Sequence, residues 1–242
     1  MIDVHCHILS GMDDGAGSLQ ESVEMARLAY EDGVRHIIAT PHFCRSIMGK
    51  PEVQLAKIAE LRQALRREGI GVTVTPGNEV RIESPEFVFE NEAAGNFMYL
   101  DPNKSFILME QRWSAYEERS EEVFTWFLSR GTRPILAHPE RHGFFREKPE
   151  LLYRLLDLGV WAQVTVDSLL GKNGEDAQKF AQKLVRSERA FVLATDAHNT
   201  RREPNMSEGI RIVKKLAGKE AVNRLLERME TVRQSAALGA QG

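Results

Sequence analysis

The sequence is poor in cysteine. Cys6 and Cys44 are its only two in 242 residues, which excludes a disulfide framework and a thiolate-built metal site. Glycine-rich phosphate loops are missing as well. Neither GxGxxG nor GxxxxGK[ST] occurs, so the backbone cradles that hold dinucleotides and nucleoside triphosphates are not expected. No run approaches the ~18 consecutive apolar residues of a membrane span. Positive charge is not in excess either. Thirty-two Lys and Arg face 35 Asp and Glu, giving a formal charge of −3 and a pI of about 6.2, and a nucleic-acid surface is not expected from that balance. The first residues lack the basic and apolar stretches of a secretory leader, with charge arriving at Asp3. Scarce cysteine and a leaderless start make the cytoplasm the expected compartment.

What is present is ordinary globular composition, 42% hydrophobic and 28% charged, arranged as an alternation. Short β-rich runs fall at residues 2–5, 34–42, 71–80, 105–110, 132–138, 160–166 and 190–196. Several are continuously apolar, as in strands buried on both faces of a parallel sheet. Helical patterns lie between them. SLQESVEMARLAYEDG opens with a capping box, Ser18 with Glu21, and stops at Gly33. PEVQLAKIAELRQALRREG places Pro51 in a first turn and lines up Val53, Ile58, Leu61 and Leu65 as one apolar stripe before Gly69. Residues 120–131, 149–159 and 175–188 continue the series, and 206–236 form a final helical region. The stretch 81–104 is the least regular and reads as a helix plus loop. No composition break divides the chain, so one α/β domain is expected, either a parallel barrel or an open doubly wound sheet. The end, SAALGAQG, reads as frayed.

The polar residues collect at one place in this scheme, the C-terminal ends of the strands. Strand one ends at His5 and His7, strand two at His42, strand three at Glu79, strand four at Glu110, strand five at His138, and strand seven at Asp196 and His198. Five of the seven histidines stand there, and parallel α/β folds build their sites at those ends. A lone histidine at a strand end is ordinarily just hydrogen-bonded, and Asp13-Asp14-Gly15 reads first as a turn. His-x-His carries more, because alternate residues of a strand face the same way and both reach one ion. The joint pattern decides: six strand ends carry imidazole or carboxylate, several after wholly apolar runs. Unpaired carboxylates buried there would cost several kcal/mol, a penalty that a metal removes. A mixed nitrogen and oxygen shell of this kind suits Zn, Mn or Fe, with Glu79, Glu110 and Asp196 available as bridges. Cys6, between the two histidines, turns to the opposite face and reads as a small buried residue. Cys44, just past His42, reads as a soft ligand or a loop residue, with the loop preferred.

Assembled in order, HCH, DDG, ATPH, GNE, FILME, AHPER and ATDAH resemble the polymerase-and-histidinol-phosphatase (PHP) superfamily. Within it, MIDVHCHILSGMDDGAG, HIIATPHF, PGNEVRI, ILAHPERH and LATDAHN are similar to the bacterial manganese-dependent protein-tyrosine phosphatases of capsule and exopolysaccharide operons. The resemblance runs from residue 1 to about 215. It implies a distorted (β/α)7 TIM-like barrel, a single metal-dependent phosphatase domain over residues 1–236; the small, polar residues 237–242 are expected to be a flexible tail. It implies two or three ions, Mn2+ with Fe or Zn as alternatives, held by His5, His7, Asp14, His42, Glu79, Glu110, His138, Asp196 and His198. Asp13 then shapes the turn. The resemblance also implies arginines on the phosphoryl group: Arg141, in HPER, and Arg202 after DAHN, with Arg201 one position away. Two segments depart from the pattern. Gln111-Arg112-Trp113 follows the strand-four glutamate where relatives usually continue with Phe-Pro, and the loop MGKPEV is particular to this chain. Both bear on substrate choice rather than on metal chemistry.

The reaction so implied is hydrolysis of a phosphotyrosyl protein, the tail of a bacterial tyrosine kinase of the exopolysaccharide or capsule system, by a hydroxide held between two ions. A phenolate leaving group, with a pKa of about 10, needs little acid assistance. A thiol mechanism fails on spacing: it needs an arginine six positions after the nucleophilic cysteine, and Met12 and Lys50 stand there. Three other readings stay open: a small-molecule phosphatase of the histidinol-phosphate type, a non-catalytic metal-bound regulatory partner, and a metal-dependent nuclease or esterase. The missing basic stripe argues against the nuclease.

Overall fold

A computed structural model describes residues 1–237; residues 238–242, all but the first of the expected tail, lie outside the described residues. The strands are β1 (Ile2–Cys6), β2 (His36–Ala39), β3 (His42–Cys44), β4 (Ile47–Met48), β5 (Thr73–Pro76), β6 (Glu79–Arg81), β7 (Phe106–Glu110), β8 (Arg133–Ala137), β9 (Trp161–Thr165) and β10 (Val192–Ala194). The helices are α1 (Leu19–Glu31), α2 (Pro51–Arg67), α3 (Pro85–Ala93), α4 (Ser120–Leu128), α5 (Gly143–Glu147), α6 (Pro149–Leu158), α7 (Val166–Leu169), α8 (Glu175–Arg186) and α9 (Met206–Ala237). Each of the seven β-rich runs forms strand, and every residue of β1, β2 and β7 is buried. The irregular stretch holds α3, started by Pro85 and capped by Ser84. Among the described residues no helix is long and apolar enough to cross a membrane.

Two of the runs are split. β2 and β3 are halves of one strand line, and β5 and β6 are halves of the next: the register His36↔Thr73 to Ala39↔Pro76 resumes as His42↔Glu79. Pro41 has no N–H to give the ladder. Gln54 of α2 reaches into the gap and donates to the carbonyls of Gly77 at 2.5 Å and Ala39 at 3.4 Å. This corrects the expected stripe on α2. Its buried face is Gln54, Ile58, Leu61 and Leu65, while Val53 is exposed. An apolar residue in place of Gln54 would remove the amide that reaches these buried carbonyls. Cys44 also differs from expectation: it closes the β3–β4 hairpin opposite Ile47 and is buried there.

The strand lines form a ring. β1, β2 and β5 are hydrogen-bonded in that order, as are β10, β9, β8, β7, β6 and β3. The ring closes between β10 and β1 through the parallel bridge Cys6–Ala197. There Asp196 N–H donates to the His5 carbonyl at 3.0 Å, and His7 N–H donates to the Ala197 carbonyl at 2.8 Å. The buried Asp3 carboxylate reinforces this seam by accepting the Thr195 N–H at 3.1 Å and the Thr195 hydroxyl. α9 is broken at Gly218, whose φ of 83° lies in the left-handed region that suits glycine. The 3-10 turn Pro139–Arg141, α5 and α7 are too short to leave a hydrophobic period in the sequence.

At the N-terminal end of the ring, His36 is buried, with Nε2 2.8 Å from the Thr75 hydroxyl. Burial, helped by Arg233 and Arg62, pulls its pKa from 6.5 down to about 4. The unfolded chain therefore takes up the proton first as pH falls. The stability that neutral His36 contributes is full above pH 6.5 and drains away between 6.5 and about 4. Chemical denaturation across that window is expected to show His36→Gln losing less stability than the parent chain, by on the order of 3 kcal/mol at the acid end. Identical slopes for the two proteins would refute it.

Candidate metal centre

The opposite, C-terminal ends of the strands gather the ligand-type residues. His7, Asp14, His42 and His198 each place a donor atom within 4.8 Å of one another. So do three further groups: His5, His7 and Asp196; His5, Glu79 and His138; and His42, Glu79 and Glu110. These four groups overlap, and together they contain all nine residues that the sequence singled out. β1 supplies two of them because its alternation turns His5 and His7 to one side and Cys6 to the other, where its Sγ lies 3.7 Å from the Ala197 carbonyl.

Hydrogen bonds behind the cluster fix which nitrogen of each histidine faces it. His5 Nδ1 lies 2.8 Å from the Gln163 side-chain Oε1, and His7 Nδ1 lies 2.6 Å from the Asp13 carboxylate. Both partners only accept, so both imidazoles carry their proton on Nδ1. Their Nε2 lone pairs are then left facing each other at 3.0 Å. Glu79 Oε2 and Asp196 Oδ1 stand 3.3–3.5 Å from the same two nitrogens. His42 Nδ1 and Glu79 Oε2 are 2.8 Å apart but not aligned as a hydrogen bond, and among the described residues neither has another hydrogen-bond partner. Electron pairs converging in this way in a buried space repel unless a cation lies among them. The donor set therefore fits a metal cluster.

The acidic turn divides its labour. Asp13 is tied down, accepting from His7, from Gly15 N–H at 2.9 Å and from His42 N–H at 2.8 Å. Asp14 points out of the turn, with Oδ1 3.5 Å from His42 Nε2 and 3.6 Å from His198 Nε2. At the rim, Arg141 and Arg202 donate to the same Asp196 oxygen at 2.6 and 2.8 Å. Arg201 is exposed, and among the described residues it bonds only through its backbone N–H, to the Asn199 side-chain oxygen. His138 and Asp196 have φ of 30° and 53°, a left-handed region that non-glycine residues seldom occupy. Such strain costs of order 1–3 kcal/mol each and gathers at functional sites.

The charges are tuned by this crowding. Burial pushes the Glu110 carboxyl above its usual range, and the neighbouring Glu79 charge adds to it. Burial acts on Glu79 in the same direction, but His5, His42 and His138 override it and hold Glu79 well below. Burial pulls His5 and His7 down, yet Glu79 and Asp196 raise the first, and Asp13 raises the second, above the ordinary imidazole range. Metal binding there would displace protons, so affinity falls with pH.

Several participants escape the sequence pattern. Gln163 fixes His5 from the one strand whose end carries no ligand-type residue; a glutamine in the otherwise apolar run WAQVTV was the available signal. Arg81 pairs with Glu110 at 2.7 Å. Glu140, buried, accepts from Thr165 N–H at 3.0 Å and ties the Pro139–Arg141 turn to β9. His142 is buried, and among the described residues neither of its ring nitrogens has a hydrogen-bond partner. Burial, then His138 and Arg141, pushes its pKa down to about 2, so it is neutral.

Comparison with known proteins gives this geometry a family. Residues 1–231 match the family model described as capsular polysaccharide synthesis, CpsB/CapC. The chain is 37% identical over 232 residues to the tyrosine-protein phosphatase YwqE of Bacillus subtilis (strain 168), covering 95% of this chain and 90% of that one. It is 24% identical over 240 residues to the tyrosine-protein phosphatase CpsB of Streptococcus pneumoniae, covering 93% and 94%. A crystal structure from work on YwqE and CpsB, described there as unique metal-dependent tyrosine phosphatases, matches with a TM-score of 0.89 at 35% identity, covering 98% of this chain and 94% of that one. A phosphotriesterase homology protein from Escherichia coli, at 15% identity and a TM-score of 0.50, shares the fold, covering 97% and 91%.

Asp13→Asn keeps an acceptor for the turn but removes the charge behind His7. Titration with a divalent cation is expected to show affinity reduced about 10- to 100-fold, with the circular dichroism of the folded protein unchanged. Unaltered affinity would mean that His7 Nε2 is not a ligand.

Proposed function

The chain belongs to the CpsB/CapC family of capsular polysaccharide synthesis, and from that premise we propose that it is a metal-dependent protein-tyrosine phosphatase, a phosphoric monoester hydrolase acting in an exopolysaccharide or capsule system. The observation that carries this reading is the meeting of two things at one strand-end cluster. Facing imidazole and carboxylate lone pairs call for cations, and two guanidinium groups sit against Asp196 at the rim.

His5, His7, Asp14, His42, Glu79, Glu110, His138, Asp196 and His198 would hold two or three ions, Mn2+ by preference. When bound, such ions supply Lewis acidity, lowering the pKa of water and offsetting charge on phosphoryl oxygens. The remaining work falls to the chain. Arg141 and Arg202 grip the phosphoryl oxygens, each guanidinium offering several donors in a planar fork. Arg81 balances the Glu110 charge. Gln163 and Asp13 hold His5 and His7 in the tautomer that leaves Nε2 free. The Glu140 anchor keeps Arg141 at a fixed height beside β9. A tyrosine phenolate leaves with little proton assistance.

The substrate is read as a phosphotyrosyl protein, the tail of a bacterial tyrosine kinase, and the compartment as the cytoplasm, where the buried free thiols of Cys6 and Cys44 stay reduced.

Elemental analysis and an aryl-phosphate assay on one preparation test the reading. Chelation is expected to abolish hydrolysis of a phosphotyrosyl peptide, with Mn2+ restoring it. Arg141→Ala is expected to lower kcat/KM about 100-fold or more while bound metal stays nearly unchanged. Full activity after stripping would overturn the metal reading, and a strong preference for histidinol phosphate would overturn the protein substrate.

A further inference from the structure

The segment joining β7 to α4 is held at several points. Gln111 is buried, and its side-chain oxygen accepts from Glu117 N–H at 3.2 Å. Arg112 pairs with the Glu117 carboxylate at 3.2 Å. Tyr116 packs against Phe144 and Phe145, with ring centroids 5.7 Å away in each case. These anchors fix the place of the side chain between them, Trp113. Its indole stacks on His142 at 4.5 Å and on His138 at 5.4 Å, with interplanar angles of 27° and 19°. The Arg141 guanidinium lies 4.8 Å from its ring centre. Even so, Trp113 remains 46% exposed.

This is an unusual position for an exposed indole. A single apolar side chain in water needs no explanation on an ordinary surface. Here the indole touches a cluster histidine and a rim arginine, on a loop whose anchors leave it little freedom. Arg141 spans the two environments, 2.6 Å from Asp196 on one side and 4.8 Å from the indole on the other. Whatever is esterified to a phosphoryl group gripped by Arg141 therefore leaves the cluster within reach of Trp113. Aromatic rings gain from offset or edge contact with one another beyond the area they bury. A phenyl ester collects that gain, and a short alkyl ester does not. Because the loop is already held in place, little ordering entropy is lost on contact.

Resting on the phosphatase reading above, we propose that the exposed indole of Trp113 contacts the aromatic ring of the leaving group and so selects aryl over alkyl phosphomonoesters. Trp113 is thus a specificity-determining residue, and the anchored loop Gln111-Arg112-Trp113 builds the aryl subsite.

The test is binding of two non-hydrolysable ligands, phenylphosphonate and methylphosphonate, to the Mn2+-loaded protein by calorimetry, with Trp113→Ala and Trp113→Phe alongside the parent. Trp113→Ala is expected to weaken phenylphosphonate about tenfold and methylphosphonate less than about twofold, with Trp113→Phe recovering most of the loss. In turnover, KM for a phosphotyrosyl peptide rises while kcat changes little, as for contact made equally in ground and transition states. Equal weakening of both phosphonates would show that the indole only braces Arg141, and unchanged binding of both would show that it does nothing; either outcome overturns the proposal alone. A parent protein that binds neither phosphonate would overturn the phosphatase reading, and this proposal with it.

Discussion

Two lone pairs pointing at each other across 3.0 Å are the constraint around which this molecule is arranged. His5 and His7 have each committed Nδ1 to an acceptor, Gln163 on one side and Asp13 on the other, so a neutral ring cannot turn its one proton inward without breaking a buried hydrogen bond, and only a second proton or a metal can occupy Nε2. The carboxylates of Glu79 and Asp196 crowd the same space. In a buried site such a concentration of electron pairs is tolerated when positive charge is present, as protons on the imidazoles or as metal ions. The carboxylates raise the proton affinity of both histidines, and a metal competes for the same pairs. The two acceptors differ in kind, a neutral amide and a charged carboxylate. The carboxylate makes His7 the more strongly donating imidazole.

The fold supplies this geometry through interruptions as much as through regular strands. β1 delivers two histidines to one side because a strand has a period of two. β3 and β6 exist because the ladder is broken at Pro41 and Gly77 and then resumes in register, bringing His42 opposite Glu79. Gln54 makes that break tolerable by filling it with hydrogen bonds. A helix residue on the far side of the sheet is therefore part of what places two of the donors.

The strand ends were legible in the sequence because ligand-type residues there terminate apolar runs, and a period of two or a run of four to six residues is easily read. Helices of nine residues or more were legible for the same reason, except α3, which lies in the irregular stretch 81–104 and was read there without bounds. The one-turn elements at Pro139–Arg141 and Val166–Leu169 are shorter than any hydrophobic period. On α2, pattern alone preferred Val53 to Gln54, because the value of a buried glutamine lies in its bonds to carbonyls elsewhere in the chain, above all that of Gly77. Gln163 and Trp113 escaped for a related reason. Their partners are 158 residues away in the first case and beyond β8 in the second, so a glutamine in an apolar run and an unusual turn stood out locally without showing what either side chain would meet. Asp13 and Asp14 could be told apart only once the turn placed one against His7 and the other toward His42 and His198.

Asp196 shows how closely closure of the ring and construction of the site are joined. Its N–H completes the seam with β1. Its Oδ1 stands against His5 and His7, and its Oδ2 holds both rim arginines. Its carbonyl receives His198 Nδ1 and Arg202. Its left-handed φ of 53° is what lets one residue serve these directions together, and the seam's hydrogen bonds, with those of Asp3 to Thr195, hold the strained backbone in place. The ring is thinnest where it closes, at a single bridge, and that is where donors and arginines meet. Opening the seam would separate His5 and His7 from Asp196 and release Arg141 and Arg202 in the same movement. The place that looks weakest as a barrel is thus the place where the site's own bonds contribute most to keeping the barrel shut.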